Sequence, residues 1–303
     1  MQTATLAPER LHGYLRVARA PFLALPVTLI VLGTATAMAA RGFDPLHALL
    51  AFVGLLSLHV SVNARNEYRD YQSGIDLETD PTPFSGGSKA LPEGALEPEE
   101  ARRFALVTAG VGALIGAYFL VTVGALLVPI IVVGGVSVLF YTSHLAKSGL
   151  GELFAGLGLG GLPVLGTGLV QLGTVPPALL VASVPPTLLT FNLLLLNEFP
   201  DQEADRRGGR RNLIHRLGRR GAALVYSLAA FGVPVSIVAG VALGFFAWPA
   251  LLGALPSLAL VRPISWALGS PSSPVSEEAL RDNVLWILST NLLLAAGLLI
   301  GGV

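Results

Sequence analysis

The chain has 303 residues, of which 53% are hydrophobic and 13% are charged, and its mean hydropathy is +0.69. This composition is too apolar for a soluble globular protein, and a formal net charge of zero provides no basic field for binding nucleic acid. The sequence contains no cysteine, which excludes disulfide and thiolate chemistry.

Residues 1–19 precede the first long apolar segment and carry three arginines among scattered leucines. They lack the charged tip, short apolar core and small-residue cleavage site of a signal peptide, so we expect none. We predict instead an amphipathic segment that lies at the membrane interface. The side chains expected to face lipid are Leu6, Leu11, Tyr14, Leu15 and Val17.

Nine apolar segments follow, each close to the roughly 20 residues that a helix needs to cross a bilayer. Many of them lack a polar face, which argues against a soluble helical protein, and their internal glycines and prolines are typical of membrane helices. We therefore predict an all-α polytopic membrane protein with nine transmembrane helices. The predicted helices are 20–40, 46–70, 99–121, 124–144, 151–172, 176–199, 219–242, 244–266 and 280–301.

The distribution of lysine and arginine predicts how these helices are oriented. With the N-terminus in the cytoplasm, 18 of the 19 basic residues fall on the cytoplasmic side and only Arg41 falls outside. This asymmetry follows the positive-inside rule. A missed helix would place basic residues on both sides, so the same asymmetry supports the number of segments.

Two similar polar motifs end apolar segments on the predicted cytoplasmic side, Asn-Glu-Tyr-Arg-Asp at 66–70 and Asn-Glu-Phe-Pro-Asp at 197–201. Their first residues, Asn66 and Asn197, are 131 positions apart, and the same spacing separates their final aspartates. The second helix comes four helices after the first, so both run in the same direction, as in a weak parallel repeat. The inverted repeat of many secondary transporters would reverse one of them.

Each motif places oxygen ligands on one face of its helix, because residues four apart are about one turn apart. The first stripe would also include Asp76 if the helix ends near Gly74, since glycine often ends helices. Carboxylate and amide oxygens favour Mg²⁺ over zinc or copper, and Mg²⁺ commonly shares one or two carboxylates with substrate phosphates. The candidate metal ligands are Asn66, Asp70 and Asp76 in the first motif, and Asn197, Asp201 and Asp205 in the second.

Other interpretations of these acids are open at this point. They could be solvated loop charges, although burying ionisable groups near a membrane costs about 3 kcal/mol each, which argues against accident. A transporter or Mg²⁺ channel would need a polar path across the bilayer, whereas the outer side carries only Arg41 and Asp44. A membrane scaffold without catalysis would not need paired metal motifs.

Four stretches resemble the UbiA superfamily of intramembrane prenyltransferases, and most closely its branch of 1,4-dihydroxy-2-naphthoate prenyltransferases (MenA). The resemblance implies a single domain over residues 1–303, with nine transmembrane helices around a central cavity in a prokaryotic cytoplasmic membrane. It also implies cytoplasmic active-site loops at 71–98 and 201–218. The four stretches are NEYRDYQSGID (66–76), TPFSGGSKALPEG (82–94), YTSHLAKSGLGELFAGLGLGGLPVLGTG (141–168) and NEFPDQEADRRGGRRNLIHRLGRR (197–220).

The same resemblance implies transfer of a prenyl group from an isoprenyl diphosphate to an aromatic acceptor such as 1,4-dihydroxy-2-naphthoate, in lipoquinone biosynthesis. Two Mg²⁺ ions, replaceable by Mn²⁺, would be held by the two motifs, and membrane lipid would surround the prenyl tail. The pair Ser143-His144 departs from the Ala-Pro or Ala-Gly that is frequent in the MenA branch. Alternative acceptors are therefore 4-hydroxybenzoate, homogentisate and a glycerol-phosphate lipid.

Further roles are implied for single residues. Lys147 is expected to bind the diphosphate, although a purely topological charge is the alternative, and Tyr141 is expected to face the reacting carbon. Glu152 is interpreted as a helix cap or a base. The expected catalytic residues are Asp70, Asp76, Asp201, Lys147 and Tyr141, and the expected diphosphate ligands are Asn66, Asn197, Lys147, Arg19, Lys89 and Arg211. Asn283 and Asn291 are expected to join helices, and Tyr118, Trp248, Trp266 and Trp286 to lie at the membrane interfaces.

Overall fold

The computed structural model describes residues 6–74, 76 and 87–303. Most of these residues are helical, and no strand occurs among them, so the predicted all-α class is confirmed. Part of the predicted loop 71–98, namely residues 75 and 77–86, lies outside the described residues, as do residues 1–5 of the N-terminal segment. The helices are α1 (Leu6–Val17), α2 (Ala24–Ala39), α3 (Pro45–Ser73), α4 (Pro98–Thr122), α5 (Val128–Phe140), α6 (Gly151–Leu172), α7 (Pro177–Arg207), α8 (Leu213–Ala242), α9 (Val261–Gly269) and α10 (Glu277–Gly301).

Seven of the described helices are long and apolar enough to cross a membrane, namely α3, α4, α6, α7, α8, α10 and α2 together with the 3₁₀ turn Ala20–Leu23 before it. The 3₁₀ segment Trp248–Ala259 and α9 together form an eighth candidate that bends by 54°. The apolar stretch Ala125–Phe140 is shorter. The chain is therefore a multi-pass membrane protein, and the count of nine spans stays a prediction.

The second polar motif is helical, as the spacing of its ligands predicts, and this shortens the predicted loop 201–218. Helix α7 continues to Arg207, and α8 already begins at Leu213, so the connection is residues 208–212. Asp201 and Asp205 consequently lie in the last turns of α7. The prediction ended the helix where apolar residues end, but polar residues continue a helix readily once they face a polar cavity.

Two predictions about surface-facing side chains are wrong. On α1, Leu11 and Leu15 are exposed as expected, but Val17 is fully buried in a cluster with Ala64 and Leu91. Trp286 is also buried, and its indole Nε1 donates to Ser257 Oγ at 3.1 Å. Hydropathy alone does not separate these cases, because lipid-facing and protein-facing positions of a membrane helix are equally apolar.

The predicted polar contacts of α10 are confirmed. Asn283 accepts a hydrogen bond from Tyr226 Oη of α8 at 2.9 Å, and Asn291 donates to Thr28 Oγ1 of α2 at 3.2 Å. All four side chains are buried. These bonds join α10 to two neighbouring helices where apolar packing gives little specificity.

The charged connections lie together at one end of the bundle. Arg16 pairs with Glu93 at 2.6 Å, and the backbone N–H of Arg211 donates to the carbonyl oxygen of Ala146 at 3.0 Å. Arg219 Nε donates to the carbonyl oxygen of Pro271 at 2.8 Å. Because α3 and α7 also end here, the fold brings both polar motifs to the same end.

Candidate active site

The two polar motifs face each other across a cavity of about 210 Å³ at the charged end of the bundle. All six predicted metal ligands line this cavity. Tyr141 lines it from a π-helical turn, Tyr141–Leu145, and Leu159 lines it from a second π-helical turn, Leu157–Gly161, inside α6. Such turns widen a helix locally and occur often at functional sites. Further lining side chains include Arg19, Phe22, Leu25, His59, Asn63, Leu193, Glu198 and Arg210.

The first motif reaches the cavity through the end of α3. Asn66 Nδ2 donates to Asp70 Oδ2 at 3.0 Å, so the two side chains share a face as predicted. The helix ends at Gly74, whose φ of +79° is favourable for glycine, and the predicted termination is confirmed. Past this turn, Asp76 is buried against the cavity, and Lys89 Nζ donates to its carbonyl oxygen.

Glu67, inside the first motif, was not among the predicted site residues. It is buried and accepts hydrogen bonds from Arg19 Nε at 2.8 Å, Ser88 N at 2.9 Å and Ser88 Oγ at 2.6 Å. It therefore holds Arg19 beside the cavity and ties the segment around Ser88 to α3. The sequence signal was its position directly after Asn66. A residue at that position points away from the helix face that Asn66 and Asp70 share, and toward the connection after α3.

The second motif is held by the connection between α7 and α8. Asp205 is buried, and its two oxygens accept from Arg210 Nη1 at 3.0 Å and Asn212 Nδ2 at 3.3 Å. Asn212 also caps α8, because its side chain accepts from the backbone N–H of His215. Asp205 is thereby fixed by the residues that immediately follow its helix.

Arg210 links the two motifs. Its Nη2 donates to Asp70 Oδ1 at 2.5 Å and to Asn66 Oδ1 at 3.3 Å, while Nη1 bonds Asp205. Burial would lower the pKa of Arg210, but the carboxylates of Asp70 and Asp205 outweigh burial and raise it above the ordinary arginine value. The guanidinium is therefore a fixed positive charge between the motifs. From the sequence alone, Arg210 is one of the topological charges on the cytoplasmic side.

Glu152 and Glu198, the second of which lines the cavity, lie close enough for their carboxyl groups to interact. Glu152 is fully buried, and its Oε1 accepts from the backbone N–H of Leu213 at 2.6 Å. It therefore caps the N-terminus of α8 rather than the start of its own helix. Glu198 lines the cavity and lies next to Asn197 in the second motif.

The residues of this cavity fit a divalent cation. Among the described residues that line it, five carboxyl groups face two guanidinium groups, which leaves an excess of negative charge. Within the described chain, Asp76 Oδ2, Asn197 Oδ1 and Glu198 Oε2 are buried without a hydrogen-bond donor. Burial, reinforced by Glu67 and Asp70, raises the pKa of Asp76 to about 7. Buried oxygens of this kind are costly unless a donor or a cation satisfies them.

The carboxylates do not yet converge as a metal cage would require. Nowhere in the described residues do three carboxylate or imidazole side chains meet closely enough to hold an ion. The guanidinium of Arg210 stands between Asp70 and Asp205 instead. Mg²⁺ commonly binds through one or two carboxylates and completes its coordination with water and substrate phosphates, so this donor set remains suitable.

Two predicted diphosphate ligands lie elsewhere. The side chains of Lys147 and Arg211 are exposed and stand outside the lining of the cavity, although Ala146 next to Lys147 lines it. Their positions do not support contact with a substrate in the cavity. Arg19 lines the cavity and is held there by Glu67, and Lys89 lies close to it through its bond to the carbonyl oxygen of Asp76.

We expect the substitution Lys147→Gln to change kcat/KM by less than about threefold, or about 0.7 kcal/mol, because the ammonium is exposed outside the cavity. Steady-state kinetics on purified protein would measure this. A loss of about 100-fold would show that Lys147 reaches the diphosphate after all, as the sequence analysis predicted.

Comparison with known proteins adds three findings. The model of the UbiA prenyltransferase family matches residues 25–297. The chain is 28% identical to "1,4-dihydroxy-2-naphthoate octaprenyltransferase" of Escherichia coli, covering 96% of each chain, and 28% identical to the enzyme of the same name from Bacillus subtilis, covering 79% of this chain and 76% of that one. A UbiA homolog from Archaeoglobus fulgidus, solved bound to GPP and Mg²⁺, shares the fold with a TM-score of 0.62 and 12% identity, covering 93% of this chain and 99% of that one.

Proposed function

The chain belongs to the UbiA prenyltransferase family, and we propose that it transfers a prenyl group from an isoprenyl diphosphate to 1,4-dihydroxy-2-naphthoate or a similar quinone precursor. The chain is a membrane-embedded prenyltransferase that acts in quinone biosynthesis. The observation that carries the proposal is the pair of matched motifs on α3 and α7, which face one cavity rich in carboxylates. The names of the relatives support the choice of acceptor.

The proposed metal ligands are the oxygen donors of the two motifs. Mg²⁺, or Mn²⁺ in its place, would neutralise the negative charge that develops on the diphosphate as its bond to the prenyl carbon breaks. We propose two ions, one for each motif, because the motifs approach the cavity from opposite sides. The ligands would be Asn66, Asp70 and Asp76 on one side and Asn197, Asp201 and Asp205 on the other.

Cationic side chains would bind the diphosphate beside these ligands. Arg19 lines the cavity and is oriented by its 2.8 Å bond to Glu67. Lys89 lies next to Asp76, and Arg210 stands between the motifs. Their positive charges complement the oxygens of a diphosphate, and arginine suits bidentate contact with phosphate.

The deeper cavity wall suits the prenyl carbon and the acceptor. Tyr141 presents an aromatic ring near the second motif, where it would stabilise an allylic cation through its π face. Phe22, Leu25 and Leu193 exclude water, which would otherwise capture the cation. The same three residues line a smaller apolar cavity beside Ile287 of α10, which gives the prenyl tail a path toward lipid.

The new carbon–carbon bond replaces one substituent on the acceptor ring. That substituent is either a proton, which a carboxylate of the site accepts, or a carboxylate, which leaves as CO₂ and returns the electron pair of its bond to the ring. In the proposed orientation, the cavity opens on the cytoplasmic side of a bacterial membrane. The support for this orientation is the positive-inside asymmetry of the sequence.

The test of the proposed function is an acceptor panel. Purified protein is incubated with prenyl diphosphates of several lengths and with 1,4-dihydroxy-2-naphthoate, 4-hydroxybenzoate, homogentisate or a glycerol-phosphate lipid. We expect prenylated product with the naphthoate and little with the others. Turnover restricted to 4-hydroxybenzoate or a glycerol-phosphate lipid would overturn the choice of acceptor, and no turnover with any acceptor would overturn the reaction.

Excess EDTA is expected to reduce turnover at least about 10³-fold, because the diphosphate leaving group would lose its charge stabilisation. Adding Mg²⁺ or Mn²⁺ beyond the chelator should restore the rate. The control is EDTA presaturated with Mg²⁺, which has the same ionic strength but no free chelator. Full activity in excess EDTA would contradict a metal-dependent mechanism.

A further inference from the structure

We propose that Arg210 is an internal counter-cation, which holds the two motifs together by occupying metal-binding oxygens and moves to the diphosphate when Mg²⁺ takes those oxygens. The inference rests on the proposed function of the cavity and concerns how metal and donor load. It predicts that one side chain opposes binding of metal alone and favours binding of metal with diphosphate.

Arg210 is hydrogen-bonded to both Asp70 and Asp205. Asp70 Oδ1 accepts from Arg210, and its Oδ2 accepts from Asn66 at 3.0 Å. Asp205 Oδ1 accepts from Arg210 at 3.0 Å, and its Oδ2 accepts from Asn212 at 3.3 Å. One guanidinium therefore engages an oxygen of both acids, in charge-assisted hydrogen bonds of the stronger kind.

A divalent ion competes with Arg210 for these oxygens. A divalent ion that binds Asp70 Oδ1 or Asp205 Oδ1 takes an oxygen to which Arg210 now donates. A guanidinium and a divalent ion that share one carboxylate oxygen also repel each other. The low polarity of a buried site strengthens this repulsion. Metal entry at these oxygens therefore requires Arg210 to leave them, so its departure subtracts from metal affinity.

The displaced guanidinium remains inside the cavity. Arg210 lies in the short connection 208–212, after Gly209 with its φ of +78°, while the backbone N–H of neighbouring Arg211 is tied to Ala146. Rotation of the Arg210 side chain alone keeps it within the cavity that it already lines. The diphosphate of the donor, which arrives with the metal, adds a strong negative charge that the guanidinium meets there.

The test compares metal binding in the substrate-free protein. Binding of Mn²⁺ alone is measured by electron paramagnetic resonance for the wild type, Arg210→Gln, Arg210→Lys and the control Arg206→Gln. Arg206 is exposed and pairs at 3.1 Å with the exposed Glu203 on the same helix, so its substitution removes the same charge nearby. We expect Arg210→Gln to bind Mn²⁺ about 10-fold more tightly, equivalent to about 1.4 kcal/mol, while Arg206→Gln resembles the wild type.

A second measurement uses inorganic pyrophosphate with saturating Mg²⁺. We expect Arg210→Gln to bind this probe about 10-fold more weakly, since the released guanidinium is no longer there to meet it. Arg210→Gln is thus expected to raise the affinity for Mn²⁺ and to lower the affinity for pyrophosphate. A general loss of structure would instead lower both affinities. The lysine variant should lie between wild type and Arg210→Gln in both, since an ammonium does not span two carboxylates as a guanidinium does.

Mn²⁺ affinity of Arg210→Gln equal to or below that of Arg206→Gln would overturn the inference. If Arg210→Gln does not fold, the lysine variant decides the question, and unchanged or weaker Mn²⁺ binding there would overturn it. Failure of every protein, wild type included, to bind Mn²⁺ would overturn both this inference and the proposed metal site. Normal Mn²⁺ binding with no effect at Arg210 would overturn the inference alone.

Discussion

Replacing Asp70 or Asp201 by alanine is expected to lower kcat/KM by about 10³-fold or more, while the protein remains folded in detergent. Each substitution removes a carboxylate from one of the two motifs that face the cavity. Charge stabilisation placed where a leaving group becomes negative is commonly the largest catalytic contribution, and removal of one such group costs about 10²–10³-fold. If the missing carboxylate is also a metal ligand, the ion that it holds is lost as well, and activity falls further.

The matched control is Glu203→Ala. Glu203 lies on α7 between the two acids of the second motif, is exposed, and pairs only with Arg206 among the ion pairs of the described chain. Its removal takes the same charge from the same helix without touching the cavity, and exposed ion pairs contribute little to stability. Equal losses of activity in Glu203→Ala and Asp201→Ala would contradict the assigned site, and size-exclusion chromatography would separate inactivity from unfolding.

Much of this site followed from spacing alone. The equal separation of Asn66 from Asn197 and of Asp70 from Asp201 predicts two helices that end at the same side, and the structure places all four residues around one cavity. Both helices run in the same direction because the second comes four helices after the first, and the ligands of each motif share a face because residues four apart lie about one turn apart. Even the position of Asp76 followed, since glycine at 74 predicts the end of α3.

The choice between Arg210 and Arg211 did not follow from the sequence. Both lie in the connection after α7, where no periodicity tells which side chain turns inward. The structure orients Arg211 outward by tying its backbone N–H to Ala146, and Arg210 inward by its bonds to Asp70 and Asp205. Such contacts come from an element far away in the chain, so local pattern does not contain them.

The predicted helix boundaries differ from the observed ones for a related reason. The predicted loop begins at residue 201, although the spacing of Asn197, Asp201 and Asp205 places them on one helix face, and α7 does continue through them to Arg207, because a helix that faces a polar cavity has no need of apolar residues. The buried Trp286 and Val17 show the complementary error on apolar faces. In both cases the outcome depends on which residues of a neighbouring helix the side chain contacts. Those contacts are part of the tertiary structure and are not contained in the local sequence.

The position of the second motif depends on close contact between α6 and α7. At Gly160 of α6, an added Cβ would fall inside contact distance of the carbonyl oxygen of Pro186 and within 2.7 Å of Thr190 Oγ1, both on α7. A carbonyl oxygen within a helix backbone does not move alone, so α6 and α7 have to move apart at this point. Helix α7 carries Asn197, Asp201 and Asp205 into the cavity, which makes Gly160 a spacer for the site.

Gly160→Ala is therefore expected to reduce kcat by about 100-fold, the loss that a displacement of about 1 Å causes in a catalytic arrangement. Overpacking should also lower the free energy of unfolding by about 1–3 kcal/mol. The matched control is Gly166→Ala on the same helix, where an added Cβ would lie 3.6 Å from Ile130 Cγ2, an ordinary contact. There the helix-favouring alanine should leave kcat unchanged and raise thermal stability slightly. Thermal unfolding and steady-state kinetics measure both quantities, and normal kcat in Gly160→Ala would show that the two helices adjust without displacing the second motif.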